Sequence, residues 1–249
     1  MAASGEIDLL MTERRVWRRG ALKGGIAALC ALGGTRQAGA ANRTFAKVAS
    51  RANSDEWTDR VAITDMILLE RWARETHNAD VAATCYNSDA WIEVSWFKGT
   101  ASEFIETGKH EPSETVNFDA MSPPVIWVQD SRAIAETSCA VHTVLALGGI
   151  DVINISYTRL LWRLQKTEGR WLISGLRGIY IRDTLASCAP SQSFKIDEEK
   201  LAAFRPSYRY LSYVLAASGR PVRNDLPGVD RPETVDALRA AERRWLNQV

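Results

Sequence analysis

The most regular pattern of apolar and polar residues lies between Asp59 and Gly99. In its first part, apolar residues recur every three or four positions, which is the spacing of one face of an amphipathic helix: Val61, Ala62, Met66, Leu69, Trp72 and Ala73. Asp55 and Glu56 precede this stretch, and acidic residues in a first turn stabilise the positive end of a helix dipole. The pattern predicts a long helix that begins near Ser54 and buries this apolar face.

A break and a change of period follow the helix. The segment His77–Asp80 ends the helical spacing, and Asp80 is a suitable cap for a second, short helix over Val81–Tyr86. Residues 87–89 predict a turn, after which polar and apolar residues alternate over Ala90–Phe97. This alternation, together with aromatic and β-branched residues, predicts a strand with one covered face.

Farther along, runs rich in β-branched and apolar residues are separated by short turns. The runs with strand character are Val125–Val128, Arg132–Leu147, Val152–Leu164 and Arg170–Arg182. Long strands joined by tight turns are antiparallel neighbours. A helix over Ala101–Lys109 precedes them, and the polar segment around Pro112 predicts a loop.

The end of the chain returns to helical spacing. It predicts three helices, over Asp197–Phe204, from Pro206 to Gly219, and over Glu233–Leu246. The last helix carries apolar residues that need a surface to cover: Val235, Leu238, Ala241 and Trp245. We expect this extension to wrap its own domain or that of a partner, either as a structural cover or as a lid over a pocket.

Composition is typical of a globular protein: 249 residues, 46% hydrophobic, 24% charged and a formal net charge of +1. No internal repeat divides the chain, which favours one large domain, and the balanced charge argues against nucleic acid as a partner. Cys85, Cys139 and Cys188 follow the N-terminal region without CxxC spacing. They indicate buried thiols rather than a zinc site or a disulfide framework, and we expect no metal and no cofactor.

The first forty residues have a different character. Arg18 and Arg19 precede the apolar run Ile26–Leu32, and small residues lead up to Ala40. This order resembles a twin-arginine export signal, with a disordered basic tail as the alternative. The apolar run is too short to span a bilayer. We therefore predict cleavage after Ala40, a periplasmic protein without membrane attachment, a domain over 41–185 and an extension over 186–249.

Several short motifs resemble the SnoaL-like group of the nuclear-transport-factor-2-like superfamily. They are the long first helix, the Asp80 that follows the break in it, and the SDAW turn that ends at Trp91. The last is the stretch KGTASEF, which begins at Lys98 and ends at Phe104. With the later strands, the resemblance covers Asp59–Asp183. It implies an α+β fold, a cone-shaped, strongly curved antiparallel sheet covered by helices (a cystatin-like α+β barrel), which holds a largely apolar pocket and is here followed by a C-terminal helical extension.

The resemblance also implies a place for the chemistry. Dehydratases, dehydrohalogenases and isomerases of the superfamily pair an Asp near the end of the first helix with a His before the second strand. Here His77 and Asp119 occupy those positions with the residue types exchanged. Such a dyad acts as a base, because the carboxylate orients the imidazole and stabilises its cation. A second register places Glu75 at the first position, which leaves two carboxylates and makes His77 a helix-end residue.

Other candidates come from the strands. His142 lies near a position where scytalone dehydratase-like members have a second His, with a half-buried structural histidine as the alternative. Tyr157 and Arg159 share a strand face and are suited to polarising a carbonyl or a leaving oxygen. Four aromatic residues are expected to contact the substrate: Trp72, Tyr86, Trp96 and Phe118. His110 is expected to be solvated in its loop.

Two functions are consistent with these features. The first is an exported, cofactor-independent lyase, a dehydratase or a retro-aldol enzyme that releases formaldehyde, acting on a hydrophobic aromatic or polycyclic alcohol. The second is a non-catalytic binding or carrier protein of the same fold; a small oxygenase subunit is disfavoured by the export signal. Because both faces of the strand Val152–Leu164 are partly apolar, we also predict a homodimer through the outer face of the sheet.

Overall fold

The computed structural model describes residues 54–108 and 116–248. The predicted export signal and His110 lie outside the described residues. Six helices are described: α1 (Ser54–Glu75), α2 (Ala79–Ala83), α3 (Ala101–Gly108), α4 (Glu198–Ala202), α5 (Arg209–Ala217) and α6 (Pro232–Leu246), with a 3-10 turn at Pro206–Tyr208. None of the described helices is long and apolar enough to cross a membrane.

The strands form one curved, open sheet, which confirms the predicted α+β class. They are β1 (Tyr86–Glu93), β2 (Lys98–Thr100), β3 (Val116–Met121), β4 (Val125–Gln129), β5 (Arg132–Leu147), β6 (Ile150–Thr167) and β7 (Arg170–Ser187). Their order is β2-β1-β7-β6-β5-β3, and β4 pairs with another part of β5. All pairs are antiparallel except that of β1 with β7, which is parallel.

Tight turns fix the register of the three long strands. Residues with positive φ stand at each turn: Asp130, Gly148, Gly149, Glu168 and Gly169. Positive φ at these positions matches the twist of hairpin turns. Register shifts between β6 and β7, at Tyr157/Thr158 and Arg163/Leu164, are bulges of the kind that bend a sheet. The four strands predicted between residues 125 and 182 are therefore present, whereas β3 was not predicted.

Helix α1 is present, but most of the predicted buried face is wrong: Ala73 is buried and Met66 packs against the core, whereas the other four residues of that face are exposed. The residues that it buries against the sheet are Ile63, Ile67, Glu70 and Ala73. Val61, Leu69 and Trp72 lie on the other side, and Trp72 is 51% exposed. The face was misassigned because Glu70, a charged residue in the sequence, is fully buried at 0% exposure. Its charge is matched inside the protein, as the site below shows.

The segment after α1 also differs from the prediction. His77 has φ of 54° and ends α1 in a left-handed turn, with the Asn78 N–H donating to the Ala73 carbonyl oxygen at 2.7 Å. Asn78, not Asp80, caps α2, since its side-chain oxygen accepts from the Val81 N–H at 3.1 Å. The next strand begins at residue 86, so the predicted turn at 87–89 lies inside β1.

The C-terminal extension packs on its own domain from both sides. On the outer face of the sheet, Leu238 of α6 packs against Leu161 and Ile179. The buried Glu242 of α6 accepts two hydrogen bonds from Arg163, at 2.6 and 3.1 Å. Helix α5 lies on the opposite, inner face, where the sheet encloses a cavity. The same chain therefore covers part of the outer face on which the homodimer was predicted.

Candidate functional site

A cavity of about 510 Å³ lies between the inner face of the sheet, the end of α1 and helix α5. Its apolar wall comes from several elements: Val94, Trp96, Phe104, Val141, Leu145, Leu160, Leu176, Leu211, Val214 and Leu215. Its charged lining is Arg71, Arg74, Glu75, Asp119 and Arg220, with His77 beside them. A mainly apolar chamber with a few convergent polar groups is the usual form of a small-molecule site.

The inward face of β6 supplies polar groups to the cavity floor. Asn154, Ser156 and Thr158 alternate along the strand, line the cavity and are almost completely buried. The Ser156 hydroxyl has no hydrogen-bond partner among the described residues. A buried hydroxyl of this kind is available to a ligand oxygen. Tyr180 of β7 also lines the cavity, and burial raises the pKa of its phenol to about 12.

Beneath the cavity, a buried ion network holds the end of α1 to β3. Glu70 accepts from Arg71 at 2.6 and 3.0 Å and from the Tyr86 hydroxyl at 2.5 Å. The other side of the Arg71 guanidinium donates to Asp119 Oδ2 at 2.8 Å. Burial alone would lower the pKa of Arg71, but the charges of Glu70 and Asp119 outweigh it and hold that pKa well above its usual range. Arg71 therefore stays cationic between two carboxylates.

Glu75 stands one helical turn beyond Arg71 and faces the same cavity. Its Oε1 accepts from the Asp119 backbone N–H at 2.6 Å, and its second oxygen has no hydrogen-bond partner among the described residues. Burial raises the pKa of Glu75 above its usual value, and the neighbouring charge of Asp119 adds to this effect. One oxygen of the Glu75 carboxylate is therefore held by a hydrogen bond, and the other makes no hydrogen bond to any described residue.

The predicted pair of His77 and Asp119 is not joined in this structure. Both residues line the cavity, but the Asp119 carboxylate is bonded to Arg71, and no hydrogen bond links it to His77 within the described residues. His77 is exposed and serves as the residue that ends α1 in a left-handed turn. Glu75, the residue of the alternative register, accepts from the backbone N–H of Asp119, and the choice of register stays a prediction.

The strand candidates lie away from the cavity. Tyr157 and Arg159 have the opposite parity to the cavity-lining residues of β6, so the strand face that they share is turned away from the cavity. Arg159 instead contacts Glu136 at 3.2 Å on the outer face. His142 is likewise absent from the cavity lining; its ring stacks on Phe118 at 4.2 Å, and its Nδ1 lies 2.9 Å from the Ala140 carbonyl oxygen. This is the half-buried structural arrangement weighed above for His142.

Of the four predicted aromatic contacts, two line the cavity and two do not. Trp96 and Phe118 border it. Trp72 projects from the outward side of α1, and Tyr86 is buried beneath the site, where it bonds to Glu70. The role of these side chains in substrate binding stays a prediction.

Helix α5 closes the cavity on the side opposite the sheet. Leu211, Val214 and Leu215 point into it, so the extension acts as a wall of the pocket. The helix begins under the carboxylate of Asp183 on β7, whose Oδ2 accepts from the Leu211 N–H at 2.7 Å. Burial raises the pKa of Asp183 to about 6. One end of this wall is therefore fixed by a single buried carboxylate.

Sequence reasoning missed the arginines and the polar floor. Glu70 follows Ile63 and Ile67 at helical spacing, which is a signal that a charge lies on the buried face. Arg71 and Arg74 come next on the same helix, and the alternation of Asn154, Ser156 and Thr158 is a signal for an inward polar row. Arg220 carries no comparable local signal, because its position depends on how the extension folds back.

Predictions from the sequence also concerned the cysteines and the binding of a metal ion. Cys85 and Cys139 are buried, and burial raises their pKa values to about 11 and about 12, as expected of structural thiols. The expectation of a buried thiol is wrong for Cys188, which is exposed. Within residues 54–108 and 116–248, no group of three or more His, Cys, Asp or Glu side chains is arranged to hold a metal ion.

Comparisons with known proteins give distant relatives. No model of a known protein family matches the chain. Pea pathogenicity protein 2 of Fusarium vanettenii is 28% identical over 202 residues, 72% of this chain and 82% of that protein. A PEP2-like protein of the same organism is 27% identical over 125 residues, 47% of this chain and 54% of its own length.

Solved structures that resemble the chain include two with low sequence identity. A hexachlorocyclohexane dehydrochlorinase has a TM-score of 0.48 and 12% identity, covering 59% of this chain and 99% of its own. An NTF2-like protein with a cystatin-like fold from Novosphingobium aromaticivorans has a TM-score of 0.40 and 16% identity, covering 49% of this chain and 81% of its own. The chain is thus similar to proteins described as NTF2-like, and its function has to be argued from the cavity.

Proposed function

We propose that the chain is a cofactor-independent lyase in which Glu75 is the general base. The observation that carries this proposal is the Glu75 carboxylate itself: it lies in a largely apolar cavity, is oriented by the Asp119 N–H and keeps one oxygen for a substrate. A carboxylate with a raised pKa is a stronger base than one in water. Its ion-paired neighbour Asp119 fixes the geometry instead of moving protons.

The substrate class is a hydrophobic aromatic or polycyclic alcohol. In a dehydration, Glu75 takes a proton from the carbon next to a carbonyl, the electron pair forms a carbon–carbon double bond, and the carbon–oxygen bond breaks. The hydroxide that leaves takes the proton from Glu75 and departs as water, which restores the carboxylate. In the retro-aldol alternative, Glu75 takes the hydroxyl proton, the carbon–carbon bond breaks, formaldehyde leaves, and the enolate takes the proton back. We assign to Ser156, whose buried hydroxyl has no hydrogen-bond partner among the described residues, the role of donating to the oxygen on which negative charge develops.

The test is turnover of a compound panel by the purified protein, followed by the same assay with two variants. Aryl-propane diols, β-hydroxy ketones and hydroxysteroids are incubated with the chain, and products that have lost water or formaldehyde are sought by mass spectrometry. Glu75→Gln is expected to lower kcat by about 10²–10⁴-fold, the usual contribution of a general base. His77→Ala is expected to retain most activity. Turnover that survives Glu75→Gln but is lost in His77→Ala restores the histidine as base and refutes this assignment.

A carrier function is the second candidate, and one feature favours it. The carboxylate of Asp119 is bonded to Arg71, which is itself fixed by Glu70, so this part of the lining is an ion network without a partner imidazole in the described residues. A carrier needs only the chamber, not a base. Native mass spectrometry of freshly purified protein separates the two functions, because a carrier retains a ligand that it leaves unaltered.

We further propose that the chain is exported by the twin-arginine route and that it forms a homodimer. Export by the twin-arginine route and cleavage after Ala40 are tested by sequencing the N-terminus of the protein recovered from the periplasm. A homodimer is tested by sedimentation at micromolar concentration, where a monomer rules it out. Because α6 of the same chain already covers Leu161, the dimer contact is proposed for parts of the outer face outside α6.

A further inference from the structure

Three arginines line the cavity, and they differ in their partners. Arg71 is bonded to Glu70 and Asp119. Arg74 lies 4.0 Å from Glu70 and stacks on the Phe104 ring at 3.7 Å. Arg220 has no carboxylate and no side-chain hydrogen bond among the described residues. An arginine that lines an apolar chamber while its donors are uncommitted is suited to receive an anion from a ligand.

The position of Arg220 is fixed at both ends. Gly219 has φ of 70° and ends α5 in a left-handed turn, in which the Arg220 N–H donates to the Leu215 carbonyl oxygen at 2.9 Å. Three residues later, Arg223 is bonded to Glu93 of β1 at 2.7 Å. The segment that carries Arg220 is therefore tied to the domain rather than free to swing.

The guanidinium is also oriented by an aromatic ring. Its central carbon lies 5.5 Å from the centre of the Trp96 ring, which itself lines the cavity. Stacking on a ring uses the flat face of a guanidinium and leaves its N–H edge available for hydrogen bonds. Since Arg220 is exposed as well as cavity-lining, this edge stands where the chamber meets solvent.

We propose that Arg220 anchors an acidic group of the ligand, so that the preferred ligands are aromatic molecules bearing one carboxylate or a similar oxyanion. The apolar part of such a ligand enters the chamber beyond Trp96, and the oxyanion stays at its opening. The inference rests on the proposed function only in taking this cavity as the substrate site. Because Arg220 belongs to the C-terminal extension, this extension takes part in selecting the substrate.

The test compares two fluorescent dyes that differ by one charge. Anilinonaphthalene sulfonate carries the oxyanion, and phenylnaphthylamine is the same fluorophore without it. Arg220→Gln is expected to weaken binding of the sulfonate dye about tenfold, the cost of losing one charge-assisted interaction, and to leave the neutral dye unaffected. Arg220→Lys is expected to keep most of the sulfonate affinity. The matched control is Arg182→Gln, since Arg182 is an exposed arginine stacked on Tyr157 at 4.7 Å, away from the cavity lining.

Two results overturn the inference. If Arg220→Gln binds both dyes as the wild type does, the arginine anchors nothing. If the variant loses both dyes equally, the side chain is part of the wall and selects no charge. Neither dye is turned over, so the expected pattern stands even if the chain proves to have no lyase activity, and the two proposals fail separately.

Discussion

Asp183→Asn tests how the wall formed by α5 is held in place. Asp183 is 7% exposed, its Oδ2 accepts the Leu211 N–H, and its Oδ1 has no hydrogen-bond partner among the described residues. Burial raises its pKa from 3.8 to about 6, against the opposing effects of the Leu211 and Tyr210 N–H groups and the charge of Arg209. The folded chain therefore holds the proton more tightly than the unfolded chain does.

The sign and size of the effect follow from this difference. Stability that depends on the Asp183 proton is fully present below the unfolded pKa and is lost as the pH rises through the folded pKa of about 6. A shift of about two pKa units corresponds to ~3 kcal/mol. The asparagine variant keeps an oxygen for the Leu211 N–H but has no proton to lose. Its free energy of unfolding lacks this part of the pH dependence.

The assay is urea unfolding of wild type and variant between about pH 4 and pH 8. We expect the free energy of unfolding of the wild type, minus that of Asp183→Asn, to fall by ~2.5 kcal/mol across this range, with most of the change complete near pH 6. Taking the difference removes the titration of the other carboxylates. A difference that stays constant or rises with pH refutes the reasoning.

Two further predictions concern the packing around the cavity. Arg71→Met is expected to lower the free energy of unfolding by roughly 3–5 kcal/mol, because it leaves Glu70 buried without its guanidinium; a loss below about 1 kcal/mol in urea unfolding contradicts this. Leu238→Ala is expected to cost about 2–5 kcal/mol, since this side chain of α6 packs on Leu161 and Ile179. Val229→Ala, at a 51% exposed position, is the control, and equal losses in the two variants argue against α6 as a stabilising cover.

The long strands were predictable from the sequence because local signals determine them. Turn residues such as Asp130 and Gly149 adopt the positive φ that hairpins require, and the runs between them are long enough to bury on at least one side. Strand β3 lacks such a signal. Its six residues contain Asn117 and Asp119, and it is stabilised by pairing with β5 and by the contact of Arg71 with Asp119.

The site was less predictable because its charges are buried by long-range partners. The apolar stripe through Trp72 looked like the buried face of α1, and only the contacts of Glu70 with Arg71 and Tyr86 explain why the other face turns inward. On β6 both parities contain apolar residues. The polar row of Asn154, Ser156 and Thr158 lines the cavity on the inner face. Leu161, which has the opposite parity, is covered by α6 on the outer face.

The choice between Glu75 and His77 as the base decides most of the proposed mechanism. Burial raises the pKa of Glu75, whereas His77 ends α1 in a left-handed turn. A probe of proton abstraction from carbon separates them without knowledge of the natural substrate. Nitrobenzisoxazole is such a probe, since loss of its carbon-bound proton opens the ring to a coloured phenolate, and a carboxylate in an apolar site accelerates this step.

The most direct measurement is the rate of this ring opening with wild type, Glu75→Gln and His77→Ala at one pH. We predict that the wild type accelerates the reaction above buffer, that His77→Ala does so to a similar extent, and that Glu75→Gln returns it to the buffer rate. Equal rates for the wild type and Glu75→Gln, or no acceleration by the wild type, would contradict the assignment of Glu75 as a general base in this cavity.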